Sequence, residues 1–361
     1  MNEKLLERVP EHIKGLLGTN SKVCLLSGLS VFTSLKNENL IVMACNARIK
    51  HAIPGIMKAA EELDAIVAFE LTTTEGGLDG GYTGLTPELY ASTIIEYAST
   101  CRFNKPFLIH ADHITVQDTG ERERSEAARL IAAQLEAGYT SFAIDASFNA
   151  LSDNIEIVTR LSAPIIAEGY GLEVELGEQP LDSNQPALTT PEETEEFLSQ
   201  LTKKDCTPQL LAINNGSKRG NYLEGEIVRI DLERTKKIHE VATSYGVAGL
   251  VQHGITGTPL HLVGKLADYG VRKGNIGTLW QNVAHAGLPL ELMDAIRGWA
   301  RENNRDIKFA TKVFKADIDA IPAENIKMIN DMAYREAKEF LTAFRARGSA
   351  SKLAAIMGKT R

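Results

Sequence analysis

The sequence predicts an α/β fold, a (β/α)8 TIM barrel with an N-terminal helical extension and C-terminal helices. Between about residues 39 and 300, eight short apolar runs of strand length alternate with segments of helical periodicity. Polar residues (Asn46, Glu70, His113, Asp145, Glu175, Asn214, His253 and Asn275) fall at or just past the ends of those runs, and barrels of this kind gather their chemistry at the C-terminal ends of their strands. The competing architecture is a doubly wound open sheet, but no Gly-x-Gly-x-x-Gly follows the first run.

In order along the chain, residues 1–38 form the extension. Leu5, Val9, Ile13 and Leu16-Leu17 recur at helical spacing, and Ser30 to Leu35 opens another short helix. The barrel, residues 39–300, begins with a strand from Leu40 to Cys45 and a helix from Ile49 to Leu63. A second strand, Ala65 to Glu70, ends in a polar, Gly-rich loop from Thr72 to Gly84. A helix from Pro87 to Ser99 leads to the third strand, Pro106 to His113, an apolar run that ends in two imidazoles and a carboxylate. The next helix, Arg124 to Ala137, stops at Gly138, a typical C-terminal cap. Ser141 to Asp145 is the fourth strand, Ile155 to Leu161 a helix, and Gly171 to Leu176 the fifth strand. Thr190 caps a helix with Pro191 in its first turn, and Glu193 completes a capping box. Gln209 to Asn214 is the sixth strand, Leu232 to Tyr245 a helix closed by Gly246, Ala248 to His253 the seventh strand, and Gly274 to Gly277 a short eighth. Residues 301–361 form a C-terminal helical segment, including a helix from Asn325 to Phe344, that packs on the barrel or on a subunit neighbour.

Composition narrows the function. The 361-residue chain has a formal net charge of −8 and no basic block to offset it, which argues against nucleic acid as a main partner. A small anionic substrate needs only a few local cations and stays compatible with that balance. No apolar run approaches membrane-spanning length, and the charged start at Met1 to Lys4 does not read as a signal peptide. The four cysteines are scattered without CxxC pairs, which points to a reducing cytoplasm.

Two clusters carry chemistry. His113, His253 and a carboxylate of Glu173-Val174-Glu175 offer a His2Glu set, the three-ligand pattern of a catalytic divalent cation. Glu173 and Glu175 share a strand face, so both can point into the barrel. A single histidine or glutamate of this kind is more often a structural group; it is the combination with Asp112 at a strand end that indicates a site. The second cluster is a set of small, hydroxyl-bearing loops after strands six to eight: Gly216-Ser217, Gly254 to Thr258, and Asn275 to Thr278. Loops in these places commonly hold phosphate through backbone N–H groups.

Together these segments resemble class II (metal-dependent) ketose-bisphosphate aldolases, the fructose- and tagatose-bisphosphate enzymes, from about Leu40 to Gln281. Ile109-His110-Ala111-Asp112-His113 resembles the family's strand-three motif, Ile144-Asp145-Ala146-Ser147 its strand-four motif, and Leu172 to Gly177 its Glu-x-Glu-Leu-Gly motif. Val251-Gln252-His253-Gly254 is similar to a motif with a zinc-binding His, and Lys273 to Thr278 to the Asn-Val-x-Thr stretch that holds ketose and phosphate. The resemblance implies aldol cleavage of a phosphorylated ketose to dihydroxyacetone phosphate and an aldehyde, in an enzyme that is usually a homo-oligomer. It implies zinc or another divalent cation on His113, Glu175 and His253, a monovalent cation as a further candidate, and Asp112 as the acid/base. Asn46, Gly220, Gly254, Thr256, Asn275, Gly277 and Thr278 are the implied substrate and phosphate contacts.

The sequence departs from the family in two places. Arg219 stands where the family has its third zinc-binding His, and a guanidinium offers no lone pair to a metal. The family's mobile acidic loop is replaced by Glu178 to Asp182, in which Glu178 or Asp182 can serve as second acid/base. Two mechanisms follow: metal held by the remaining ligands with Arg219 on a substrate phosphate or a nearby carboxylate, or a metal-free site in which Arg219 itself stabilises the oxyanion. A Schiff-base route would need Lys218 or Lys273, both expected to face solvent or phosphate. The reading from another class is a non-catalytic homologue that binds sugar phosphate.

Overall fold

The computed structural model describes residues 3–18, 20–177, 188–217 and 229–359. Apolar runs covered on both faces form eight strands: β1 (Val42–Cys45), β2 (Val67–Thr72), β3 (Phe107–Thr115), β4 (Ser141–Asp145), β5 (Gly171–Leu176), β6 (Leu210–Ile213), β7 (Gly249–Gln252) and β8 (Val271–Ile276). Each pairs in parallel with the next, and β8 returns to β1, closing a barrel in sequence order. Strands buried on both faces lose the polar–apolar alternation of a half-exposed sheet, which is why they read as continuous runs.

The chain before β1 seals the base of the barrel. Leu25 forms a bridge with Phe107, and Gly28 N–H donates to Thr140 O at 2.9 Å as the helix Gly28–Leu35 begins. The fit there is tight enough to demand glycine twice: a Cβ on Gly171 would lie 2.7 Å from Gly28 Cα, and one on Gly28 would lie 2.5 Å from Ser141 Oγ. After β8, the helix Ala323–Ala343 packs along the helix Ile53–Leu63, so closely that a Cβ on Gly55 would fall 2.2 Å from Asn330 O. Phe344, just beyond it, covers Gly274 on the outside of β8.

Several boundaries differ from those read in the sequence. The eighth strand begins at Val271, because Arg272 and Lys273 conceal its apolar character. Arg272 is the extra residue of a register shift against β7. Lys273 was expected at solvent or phosphate, and the structure corrects this: it is fully buried inside the barrel. The fourth helix of the barrel runs over Leu151–Ala167 and tolerates Pro164. The loop after β2 contains a one-turn helix, Thr73–Gly76, closed by a capping box between Thr72 and Glu75.

Candidate active site

β3 places the central pair of side chains. Adjacent residues of a regular strand point to opposite faces, so Asp112 and His113 could not both face the mouth. The pairing with β4 jumps between Ala111 and Ile114, and His113 adopts φ +41° within that bulge. The bulge turns both groups toward the cavity, and the His113 carbonyl accepts from the hydroxyls of Thr73 (3.0 Å) and Thr115 (3.2 Å).

Asp112 is held from two sides by amides. Asn46, just after β1, donates to its Oδ2 at 3.0 Å, and Asn275 of β8 donates to its Oδ1 at 3.0 Å. With two lone pairs on each oxygen, this carboxylate is oriented without being saturated. Beside it, His113 Nδ1 lies 2.8 Å from Glu175 Oε2 and 3.2 Å from Asp145 Oδ2. His253 follows β7, with its Nε2 3.8 Å from Glu175 Oε1 and its ring 4.5 Å from that of His113, centroid to centroid. Asp145 is itself tied by Ser147, whose Oγ donates at 2.7 Å.

This arrangement favours positive charge. Burial alone would lower the His113 pKa, yet the neighbouring carboxylates of Glu175 and Asp112 raise it well above the ordinary imidazole value. Burial alone would raise the Asp145 carboxyl, but the bond and charge of His113 and the Ser147 donors hold it below the usual range. A cluster that stabilises a proton in this way also suits a divalent cation. The donor atoms of His113, Glu175 and His253 all lie within 4.8 Å of one another. Tetrahedral zinc with bonds of about 2.1 Å sets its ligand atoms about 3.4 Å apart, a spacing that falls within the 4.8 Å span of these donors. The residues present fit the ion.

His113 and His253 line one side of a cavity of about 630 Å³ at the C-terminal ends of the strands, with Glu175 beside them. Gly254, Thr256, Gly277 and Thr278 line the same cavity, beside the start of the helix Thr278–Gly287. Of the residues singled out in the sequence, Glu178, Asp182, Lys218, Arg219 and Gly220 lie outside the described residues. Asn46 reaches the cavity, with its amide engaged by Asp112 and Glu75. The sequence reading missed Arg48, Glu75, Tyr82, Gln281, His285 and Lys308, which form much of the far wall. For Glu75 a signal existed, since Thr72-Thr73-Thr74-Glu75 is itself a capping-box pattern. Nothing local distinguishes the others from surface residues.

Two residues closer to the barrel base, Lys273 donates to Glu173 at 2.9 Å and lies 3.1 Å from Glu70, while His110 Nδ1 meets Ser141 Oγ at 2.8 Å. Burial alone would lower the Lys273 pKa, but Glu173 and Glu70 raise it above the ordinary value, so its amine is held protonated and is unsuited to Schiff-base formation.

Fold and site together define a (β/α)8 barrel with an amide-held carboxylate and a candidate divalent-cation triad at the C-terminal mouth. The chain belongs to the class-II fructose-bisphosphate aldolase family, whose model matches residues 27–339, and it is therefore a carbon–carbon lyase of that type. Among curated relatives, it is 27% identical over 254 residues to "Fructose-bisphosphate aldolase" of Giardia intestinalis, covering 68% of this chain and 70% of the relative. It is 27% identical over 260 residues to "Fructose-bisphosphate aldolase" of Thermus caldophilus, covering 70% and 75% respectively. A crystal structure of a putative fructose-1,6-bisphosphate aldolase from Coccidioides immitis superposes with a TM-score of 0.64 at 23% identity, over 90% of this chain and 98% of the other. The YdjI aldolase of Escherichia coli K12 gives 0.64 at 19% identity, over 89% and 98%. These two likenesses bear on the fold alone.

Proposed function

We propose that this protein cleaves, and in reverse forms, the carbon–carbon bond of a phosphorylated ketose, giving dihydroxyacetone phosphate and an aldehyde. The observation that carries this reading is the Asp112 carboxylate, held by Asn46 and Asn275 at 3.0 Å each beside the His113–Glu175–His253 triad. A divalent cation on those three residues, when bound, supplies Lewis-acid polarisation of the ketose carbonyl and offsets the negative charge that develops on cleavage. Asp112 takes the proton of the hydroxyl on the carbon that departs as aldehyde. That oxygen forms the new C=O as the C–C electron pair passes to the ketose fragment, and in condensation Asp112 returns the proton. Protonation of the ketose fragment at carbon falls to Glu178 or Asp182. Gly254, Thr256, Gly277 and Thr278 cradle the phosphate, and Arg219 adds charge to it or to a nearby carboxylate.

The barrel at 39–300 carries the chemistry, with the flanking segments 1–38 and 301–361 as structural additions. A reducing cytoplasm suits the four thiols, of which buried Cys24 is pushed up to about 12, and a homo-oligomer is the proposed assembly. Among the described residues no helix is long and apolar enough to cross a membrane. The test is metal analysis of protein purified without chelator, together with a cleavage assay on ketose mono- and bisphosphates. Stoichiometric metal and turnover abolished by EDTA support the reading. Turnover that survives full metal removal would shift the role to Arg219, and neither metal nor turnover with any ketose phosphate would leave a sugar-phosphate-binding homologue.

A further inference from the structure

The far wall of the cavity holds a cation that the phosphate cradle, as drawn from glycines and threonines, does not include. Arg48 follows β1 by three residues, its side chain is 14% exposed, and it lines the same cavity as Gly254, Thr256, Gly277 and Thr278. The missing side chain at Gly277 makes room for it. A Cβ there would lie 2.8 Å from Arg48 Nη2, so the guanidinium fills the volume that any other residue at 277 would claim. Position 277 immediately precedes the helix Thr278–Gly287, whose first turn also meets the other loop of the cradle: Thr256 Oγ1 accepts from Leu279 N–H at 3.4 Å.

The guanidinium is locked in place. Its Nε and Nη2 both reach Glu75 Oε1, at 2.7 and 2.6 Å, and Nη1 donates to Gln281 Oε1 at 2.8 Å. A guanidinium has five N–H groups; among the described residues three are engaged, and one on each terminal nitrogen is left for a further acceptor. Glu75 is in turn fixed by donors from other elements: Asn46 Nδ2 and Thr72 N–H on Oε2, each at 3.0 Å, and Tyr82 O–H on Oε1 at 3.2 Å. The pair thus behaves as an oriented dipole, with its carboxylate anchored in the wall and its cation beside the glycine of the cradle.

We propose that Arg48 binds the phosphate group of the substrate, and that glycine at 277 is the feature that admits it. This assignment rests on the sugar-phosphate reading above. The rival role is structural: Arg48 could act only through Glu75 and Asn46 on the orientation of Asp112. The two roles separate kinetically, because a phosphate contact made equally in ground and transition states appears in KM, whereas misplacement of Asp112 appears in kcat.

The experiment compares the wild-type protein with Arg48→Met, Arg48→Lys and Gly277→Ala. Inorganic phosphate binding is measured by calorimetry, and KM and kcat with a ketose phosphate by steady-state assay. Loss of a charge-assisted contact predicts about 10- to 100-fold weaker phosphate binding in Arg48→Met, with a matching rise in KM that outweighs any change in kcat. Arg48→Lys recovers part of the loss, since it keeps the charge and loses the fork. Gly277→Ala should weaken binding as well by displacing the guanidinium, and Arg48→Lys keeps the question answerable if Arg48→Met misfolds. Unchanged phosphate affinity in the Arg48 variants, or a fall in kcat at constant KM, overturns the assignment. The outcomes also distinguish this inference from the broader one. Wild-type phosphate binding that Arg48→Met abolishes, without cleavage of any ketose, sinks the aldolase reading and leaves this one standing. Cleavage by the wild type with phosphate affinity indifferent to Arg48 does the reverse.

Discussion

Two polar layers lie one above the other inside the barrel, built from the same strands two residues apart, and they differ in whether their charges are answered. His110, Glu173 and Lys273 of the lower layer become Asp112, Glu175 and Asn275 of the upper layer on moving two positions along β3, β5 and β8. Below, Lys273 sits between Glu173 (2.9 Å) and Glu70 (3.1 Å) with no exposure to solvent. Burial, and then the charge of Asp112, pushes the Glu70 carboxyl well above its usual range, and burial with the Lys273 charge pushes His110 well below its own. That layer holds its charges to the minimum that Lys273 can balance. Above, Asp112, Asp145 and Glu175 surround His113, and Asp112 and both imidazoles line a cavity, so the surplus negative charge is open to a cation. The same side-chain chemistry is therefore structural or functional according to whether protein groups close around it on every side.

The largest effect expected from disturbing this contrast is in the upper layer. Asp112→Asn keeps shape and removes the proposed base, and it should lower turnover about 10²- to 10⁴-fold while the melting temperature stays close to that of the wild type. A large stability loss instead would mean that the carboxylate serves the barrel rather than the reaction.

Lys273→Met should do the opposite. It strips two buried carboxylates of their cation, at a cost of about 3–5 kcal/mol, measurable by urea denaturation. Adding Glu173→Gln should recover part of that loss; a double variant no more stable than the single would show that the lower layer is not held by this charge pair.

Removal of the metal should be smaller in stability terms. Ligand present at 100-fold above its dissociation constant adds about 2.7 kcal/mol to the folded state, so EDTA should lower the melting temperature and zinc restore it. His253→Ala should erase that zinc-dependent shift, and a shift of undiminished size would remove His253 from the ligand set.

The smallest effect concerns the cavity wall. Burial, with Arg297 adding repulsion, pushes His285 down to about 4. Its folded form is neutral, whereas the unfolded chain takes up a proton below about pH 6.5. Its contribution to stability is therefore present above pH 6.5 and is lost as pH falls from there toward 4, at no more than about 1.4 kcal/mol per pH unit. His285→Gln should flatten the acid limb of the stability profile relative to the wild type. Denaturation curves of both proteins at pH 7, 6 and 5 read the difference, and parallel limbs would contradict the assignment.

Much of the barrel was legible because burial on both faces leaves an unmistakable trace: β4 and β5 match their sequence ranges, and the Thr190 capping box is as expected. The strand that misled was β8, where the two charged residues Arg272 and Lys273 interrupt the apolar run. At the candidate site, the structure brings together Asp112, His113, Glu175 and His253, which stand out in the sequence by their strand-end positions and motif resemblance. Arg48 and Gln281 do not stand out, because a single cation or amide outside a motif looks like any surface residue until the fold pairs it with Glu75.

By itself the sequence determined the order of strands and helices, the family, and the identity of the groups at the strand ends, since apolar periodicity and motif spacing are local properties of the chain. Only the tertiary structure decided which way those groups point. One extra residue in β3 turns Asp112 and His113 to the same side, and one in β8 accompanies the turn of Lys273 into the barrel. A strand's side-chain direction reverses with every residue, so a single-residue change in pairing register, which no local pattern encodes, separates a buried strut from a catalytic mouth.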